Sequence, residues 1–391
     1  MYCGSCMNDN AVAKELIDAG HDCLLMPIYT PIRTDEQEVS GNRVFLGGIN
    51  LYLAYKLPIL TAIPGLKWLL NQPWVIQLLT KNAGKTSPAF LGELTLSMLE
   101  GSRGKFASEF DELLVWMTQN VRPEAVILTN LLIGGVIPEM SDVADVWVTL
   151  QGDDIFLDSL PETYRSQAIE KMKDLIPRVH GFLFHSKYYA AAMAKLLSIP
   201  QEKIHIVPLG VTIQDFVKAD NTNAAREFQR QGPAKLSAEN SEDVLRLGYL
   251  ARMAPEKGLH QLVDAFIALR SDPKWSRLRL ELAGWMGPQH DDYWKEQQNK
   301  LHRAGLDGQW RYHGAFDRAE KVQFLKGLDL FCVPTTYADP KGIFLLEAVA
   351  SGVPYVMPDH GAFPEIHDRV DRKSTRLNSS HEWISRMPSS A

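Results

Sequence analysis

Cysteine, net charge and long apolar runs are all scarce in this chain, and each scarcity removes a class of function. The formal net charge is −6 over 391 residues, which leaves no electrostatic footprint for nucleic acid. No long basic run directs the chain to an anionic membrane. The four cysteines, Cys3, Cys6, Cys23 and Cys332, are too few and too scattered for a disulfide framework, so a reducing cytoplasm is the expected setting. Cys3-Gly-Ser-Cys6 has the spacing of a redox or zinc pair. Neither a preceding thioredoxin-like strand nor a second ligand pair accompanies it, and no metal site is assigned. The most apolar stretch, residues 44–79, is interrupted by Lys56, Pro58, Pro64, Lys67 and Pro73. A spanning helix needs about 20 nearly uninterrupted apolar residues. No leader pattern follows Met1. Residues 44–81, with Trp68 and Trp74, suit packed helices or an apolar patch near a lipid surface. Peripheral contact at the inner face of a membrane therefore stays open.

What is present is ordinary globular composition, 45% hydrophobic and 23% charged, in a length that suits two domains with separate cores. Apolar runs fit for buried parallel strands alternate with helical patterns. In the first half the strands fall at 23–28, 125–128, 146–150, 181–185 and 204–207. Helical patterns occupy 6–19, 91–120, 165–175 and 188–197. Residues 219–243 are polar and read as a linker or surface insertion. A second series then follows, with strands at 245–251, 277–283, 309–313, 330–333 and 353–357. Helices at 259–270, 293–303, 318–327 and 343–352 separate them. Such alternation predicts an α/β protein of two doubly wound Rossmann-like domains facing each other across a cleft.

Both ends depart from this plan. An α/β domain normally opens with a strand and a glycine-rich turn, yet here residues 6–19 already read as the helix that should follow them. After Val370 the pattern stops. Residues 371–391 resemble the translated read-through of a sequencing-library adapter, and a genuine disordered tail would have a similar polar composition. The predicted organisation is an N-terminal acceptor-side domain (1–208) without its first strand, an incomplete donor-binding domain (209–370) and a non-native tail (371–391).

Two strand-to-helix junctions in the second domain carry unusual chemistry. The first is Gly248-Tyr-Leu-Ala-Arg252-Met-Ala-Pro-Glu256-Lys257-Gly258. Two cations at the end of a strand, close to a helix start, form a seat for a diphosphate; a pair of surface cations in a loop is the plainer reading. The second is Asp339-Pro-Lys341-Gly342-Ile343-Phe-Leu-Leu-Glu347. Gly342 permits a tight turn that aims N–H groups at a phosphate. Glu347 lies one turn inside an apolar helix, where ribose hydroxyls or a structural ion pair would satisfy it. The two acids share one loop–helix unit and cannot flank a bond as a glycosidase dyad does.

Both junctions resemble those of the family-4 (group 1) retaining glycosyltransferases of the GT-B fold. The resemblance implies that Arg252 and Lys257 grip a donor diphosphate. It places Asp339 and Glu347 at the two glutamate positions of that family's donor-binding motif, the first shortened to aspartate, with Lys341, Gly342 and Ile343 between them. Ser351-Gly-Val-Pro354 and His360-Gly-Ala-Phe-Pro-Glu365 continue the likeness. In the first domain Val148-Thr-Leu-Gln151-Gly-Asp153-Asp154 ends a strand where many relatives place a histidine near the acceptor. Gln151 can hydrogen-bond a sugar hydroxyl but is no base. Asp153 and Asp154 would bind acceptor or cap a helix. Ser186 and Pro208-Leu-Gly210-Val211 match the run-up to the second domain.

The resemblance implies metal-independent transfer of a hexosyl group, with retention, from a nucleoside-diphosphate sugar to a glycan, lipid or small-molecule acceptor. It implies no cofactor beyond that donor. A nucleotide-sugar epimerase, a phosphorylase and an inactive nucleotide-sugar-binding fragment are the rival readings.

Overall fold

The computed structural model describes residues 4–28, 38–41, 88–218 and 244–374. Cys3, the apolar stretch at 44–81, the polar segment 219–243 and residues 375–391 lie outside that set. The chain divides into two compact units, Tyr2–Pro208 and Leu209–Ala391. Among the described residues no helix is long and apolar enough to cross a membrane.

Among its described residues the first unit holds helices α1 (Gly4–Asp18), α2 (Pro88–Glu100) and α3 (Ala107–Trp116). Strands β1 (Ala125–Leu128), β2 (Asp145–Thr149), β3 (Gly181–Phe184) and β4 (Ile204–Ile206) form a parallel sheet in sequential order. The short helical turns Leu131–Val136 and Ile137–Met140 connect β1 to β2, and helices α4 (Glu162–Leu175) and α5 (Lys187–Leu197) make the next two crossovers. Val146, Val148, Phe182 and Phe184 are fully buried with Met172 and Met193, the continuous apolar character of a covered parallel sheet. Ser186 starts α5 as a cap, its Oγ accepting the Tyr189 N–H at 3.2 Å.

Two predicted elements are corrected here. The helix expected over 91–120 is broken: α2 ends at Glu100, a 3-10 turn spans Gly101–Arg103, and α3 is followed by a π-turn at Met117–Val121. The cause is Gly101. Its φ is +57°, and a Cβ there would stand 2.0 Å from the Gly135 carbonyl oxygen, so helix and neighbouring turn approach backbone to backbone. The strand expected over 23–28 is likewise absent as a ladder. A single bridge joins Leu25 to Ser40, with the Gly41 N–H on the Leu25 carbonyl at 2.8 Å. Among the described residues no neighbour offers the consecutive row of partners that a strand requires.

The second unit holds strands β5 (Leu245–Leu250), β6 (Leu278–Ala283), β7 (Trp310–Tyr312), β8 (Leu330–Cys332) and β9 (Tyr355–Val356). All are parallel, in the order β7-β6-β5-β8-β9. Between them run α6 (Leu259–Arg270), α7 (Asp291–Arg303), α8 (Arg318–Lys326) and α9 (Ile343–Ala350), and α10 (Phe363–Ser374) follows β9. The composition pattern that ends at Val370 thus does not end α10, which continues for four residues. From β5 the chain winds one way through β6 and β7. It then returns to the other side of β5 as β8 and continues outward to β9. The order reverses between β5 and β8, and in open parallel sheets ligands bind beyond the carboxyl ends of the strands at such a reversal. Two of the loops at that point are those singled out above.

Gly101→Ala is expected to destabilise the first unit by about 2–3 kcal/mol, combining a strained φ with overpacking against Gly135. Urea unfolding followed by the fluorescence of Trp116 and Trp147 would register it, and an unchanged midpoint would contradict the close approach.

Candidate functional site

The loop after β5 is fixed before any side chain is considered. Gly258, at φ +72°, ends the 3-10 turn Pro255–Lys257 and begins α6. A Cβ at this position would lie 1.6 Å from the Pro334 carbonyl oxygen, so only glycine lets this loop lie on the segment after β8. The Thr336 N–H donates to the Glu256 carbonyl at 3.0 Å and stitches the two loops together.

That contact carries Lys257 into a buried position. Its ammonium donates to Asp339 Oδ2 at 2.7 Å and to the Tyr337 hydroxyl oxygen at 2.7 Å. The Tyr337 hydroxyl in turn donates to Asp339 Oδ2 at 2.8 Å. The other carboxylate oxygen, Oδ1, accepts the N–H groups of Lys341 and Gly342, each at 2.9 Å. Burial alone would raise the Asp339 pKa. The charge and hydrogen bond of Lys257, with the two N–H groups, outweigh it and hold the carboxyl well below the usual carboxylate range. Tyr337 moves the opposite way, pushed up by burial and by the adjacent Asp339 carboxylate. Lys257 also lies over the Tyr337 and Phe344 rings, 4.8 and 5.1 Å from their centroids.

Arg252 occupies the same loop but remains partly exposed, paired with Glu256 at 3.1 Å. Its partner Glu256 is the residue whose carbonyl holds Thr336, so Arg252 belongs to the same pair of stitched loops. Gly342, at φ +65°, stands immediately before α9, and Ile343 is the first residue of that helix. The Gly342 N–H, expected to face a phosphate, is held by Asp339 instead. The structure therefore gathers Arg252, Lys257, Asp339, Lys341, Gly342 and Ile343 at the switch point. Glu347 has a different set of partners. Its Oε1 receives Lys321 Nζ at 2.5 Å and lies 3.8 Å from Arg318, both from α8. A capping box between Asp317 and Glu320 fixes the start of that helix.

A second polar cluster lies in the first unit at the carboxyl ends of β1 and β2. Buried Gln151 donates through Nε2 to Thr129 Oγ1 at 2.9 Å and to Asp9 Oδ1 at 3.2 Å, and the Thr129 hydroxyl donates to Asp9. Asp153 Oδ2 accepts the Leu131 N–H at 2.8 Å, and Asp154 Oδ1 accepts the Tyr189 hydroxyl at 2.6 Å. The Tyr189 oxygen takes the Gly152 N–H at 3.0 Å. Burial, then the two aspartates, drive the Tyr189 pKa upward. Asp153 and Asp154 thus brace the Gln151 loop.

Sequence reasoning did not single out Tyr337, Lys321, Asp9, Thr129 or Tyr189. Each acts through a partner distant in sequence, and none stands in a motif of its own. Tyr337, two residues before Asp339, offered only the weak signal of an aromatic hydroxyl beside a buried acid.

Residues 234–371 match the family described as Glycosyl transferases group 1. The mannosylfructose-phosphate synthase of Agrobacterium fabrum is 28% identical over 164 residues, covering 42% of this chain and 34% of that protein. The lipopolysaccharide core biosynthesis mannosyltransferase LpsB of Rhizobium meliloti is 31% identical over 121 residues, 31% of this chain and 33% of that protein. The chain spans about a third of the length of these curated relatives. The crystal structure of HepE from Anabaena in complex with UDP superposes with a TM-score of 0.54 at 18% identity, covering 68% of this chain and 67% of that one. At that identity the likeness concerns the fold. Residues 234–371 are thus similar to the group 1 glycosyl transferases, and the fold is that of the GT-B glycosyltransferases.

Proposed function

We propose that this protein transfers a hexosyl group from a nucleoside-diphosphate sugar to an acceptor hydroxyl, with retention and without a metal ion, as family-4 enzymes do. The observation that carries this reading is the pair of stitched loops at the β5/β8 reversal, which present Arg252 and Lys257 beside the start of α9. In the reaction the bond from the anomeric carbon to the diphosphate breaks and its electron pair leaves with the phosphate oxygen. The two cations stabilise that charge as it develops. The acceptor oxygen bonds to the same face of the anomeric carbon and passes its proton to the departing diphosphate oxygen. No protein nucleophile is assigned.

Glu347, held by Lys321 and Arg318 within α9, is the carboxylate we assign to the ribose hydroxyls of the donor. Gln151 is the group we assign to an acceptor hydroxyl, with Asp153 and Asp154 as braces of its loop. Mannosyl transfer is named for LpsB, and HepE was crystallised with UDP. Those names motivate a hexose donor and a nucleoside diphosphate as the first ligands to try. A saccharide, lipid or small-molecule hydroxyl is the acceptor class.

The reading is tested by titrating the full chain with UDP, GDP and ADP while following its thermal midpoint. One of the three is expected to stabilise the protein, by about 2.7 kcal/mol at a hundred times its dissociation constant. A chain that melts cooperatively and shifts with none of them would refute the donor site. In a turnover assay with the matching nucleotide sugar, Arg252→Ala is expected to lose roughly 3 kcal/mol of transition-state stabilisation, on the order of a hundredfold in rate. Undiminished turnover would remove Arg252 from the site.

A further inference from the structure

We propose that Asp339 is a positioning residue, which holds Lys257 and closes the start of α9, and that it does not bind the donor sugar. The proposal rests on the donor-site reading above and departs from what the resemblance implies for this position.

The hydrogen-bond capacity of the Asp339 carboxylate is already used up. An ionised carboxylate has about four acceptor directions. At Asp339 four donors fill them: the Lys341 and Gly342 N–H groups on Oδ1, and the Lys257 ammonium and Tyr337 hydroxyl on Oδ2. The residue is only 4% exposed. A sugar hydroxyl could reach this carboxylate only by displacing one of those donors, which would leave a buried N–H or ammonium unsatisfied. The short side chain makes this arrangement. Aspartate folds back onto N–H groups two and three residues ahead, as capping residues do, whereas a glutamate is one methylene too long to favour that turn. The backbone is committed too: the Asp339 carbonyl accepts the Ala362 N–H at 2.9 Å, and Gly361 lies close against it. Asp339 therefore links the Lys257 loop, the start of α9 and the turn before α10. The hydroxyls of the donor sugar must be read by other groups.

The test compares two ligands, the nucleoside diphosphate that shifts the wild-type midpoint and its sugar conjugate, in the full chain. A positioning role acts through Lys257 and the diphosphate. Asp339→Asn should then weaken both ligands by the same factor, on the order of tenfold, the loss of about one charge-assisted hydrogen bond. A sugar-binding role would weaken the conjugate and leave the bare diphosphate unchanged, which would overturn the proposal.

A ligand-independent measurement stands beside it. Acetic anhydride labelling of Lys257, read by peptide mass spectrometry, should be slow in the wild type and at least several-fold faster in Asp339→Asn. Tyr337→Phe, which keeps the carboxylate, should give an intermediate rate and serves if the first variant does not fold. Equal labelling in all chains would overturn the positioning role. A wild type that binds no nucleotide, yet shows the expected labelling, would refute the donor-site reading and leave the positioning of Lys257 by Asp339 intact.

Discussion

The second unit is organised around the ion pair between Lys257 and Asp339. The partners lie 82 residues apart in sequence, and their side chains are almost wholly withdrawn from solvent. Removing two charges from water costs several kcal/mol per ion. That cost is tolerable here because the pair is not left alone: a tyrosine hydroxyl and two backbone N–H groups complete the coordination of the carboxylate. Such a pair is a weak source of net stability and a strong source of geometric definition. Any other placement of either loop would strand a buried charge.

The backbone had to allow that placement first. The Lys257 ammonium reaches Asp339 because Gly258 lets its loop touch the Pro334 carbonyl, and because Thr336 hydrogen-bonds to Glu256. These contacts sit where the strand order reverses between β5 and β8, the position at which parallel sheets leave a crevice beyond their carboxyl ends. Topology supplies the location, glycine the approach and the ion pair the precision. The partly exposed Arg252, paired with Glu256 in the same loop, is a second positive charge at this point of the sheet.

Most of this framework could be read from the residues in order. The strands and helices of the second unit follow from apolar runs of strand length separated by helix-length periodic segments, and α6 falls on the predicted residues. What escaped depends on contacts between distant segments. The pattern over 91–120 is helical throughout, and only the approach of Gly135 shows why Gly101 must break it; the Gly101-Ser-Arg-Gly104 spacing was the available signal. Residues 23–28 have strand composition, but among the described residues they meet only a single bridge, Leu25 to Ser40. Asp339 was legible as an unusual acid at a motif position. Its saturation by four donors was not, because two of them come from side chains whose placement only the fold determines.

Hydrogen–deuterium exchange distinguishes whether the loops after β5 and β8 form a donor diphosphate site. The full chain would be compared with and without saturating UDP, GDP or ADP. The account predicts slower exchange with one nucleotide at the amides of residues 251–258 and 335–345, and little change in the strand cores. Protection confined to other segments, with these loops unchanged by a nucleotide that binds, would contradict it.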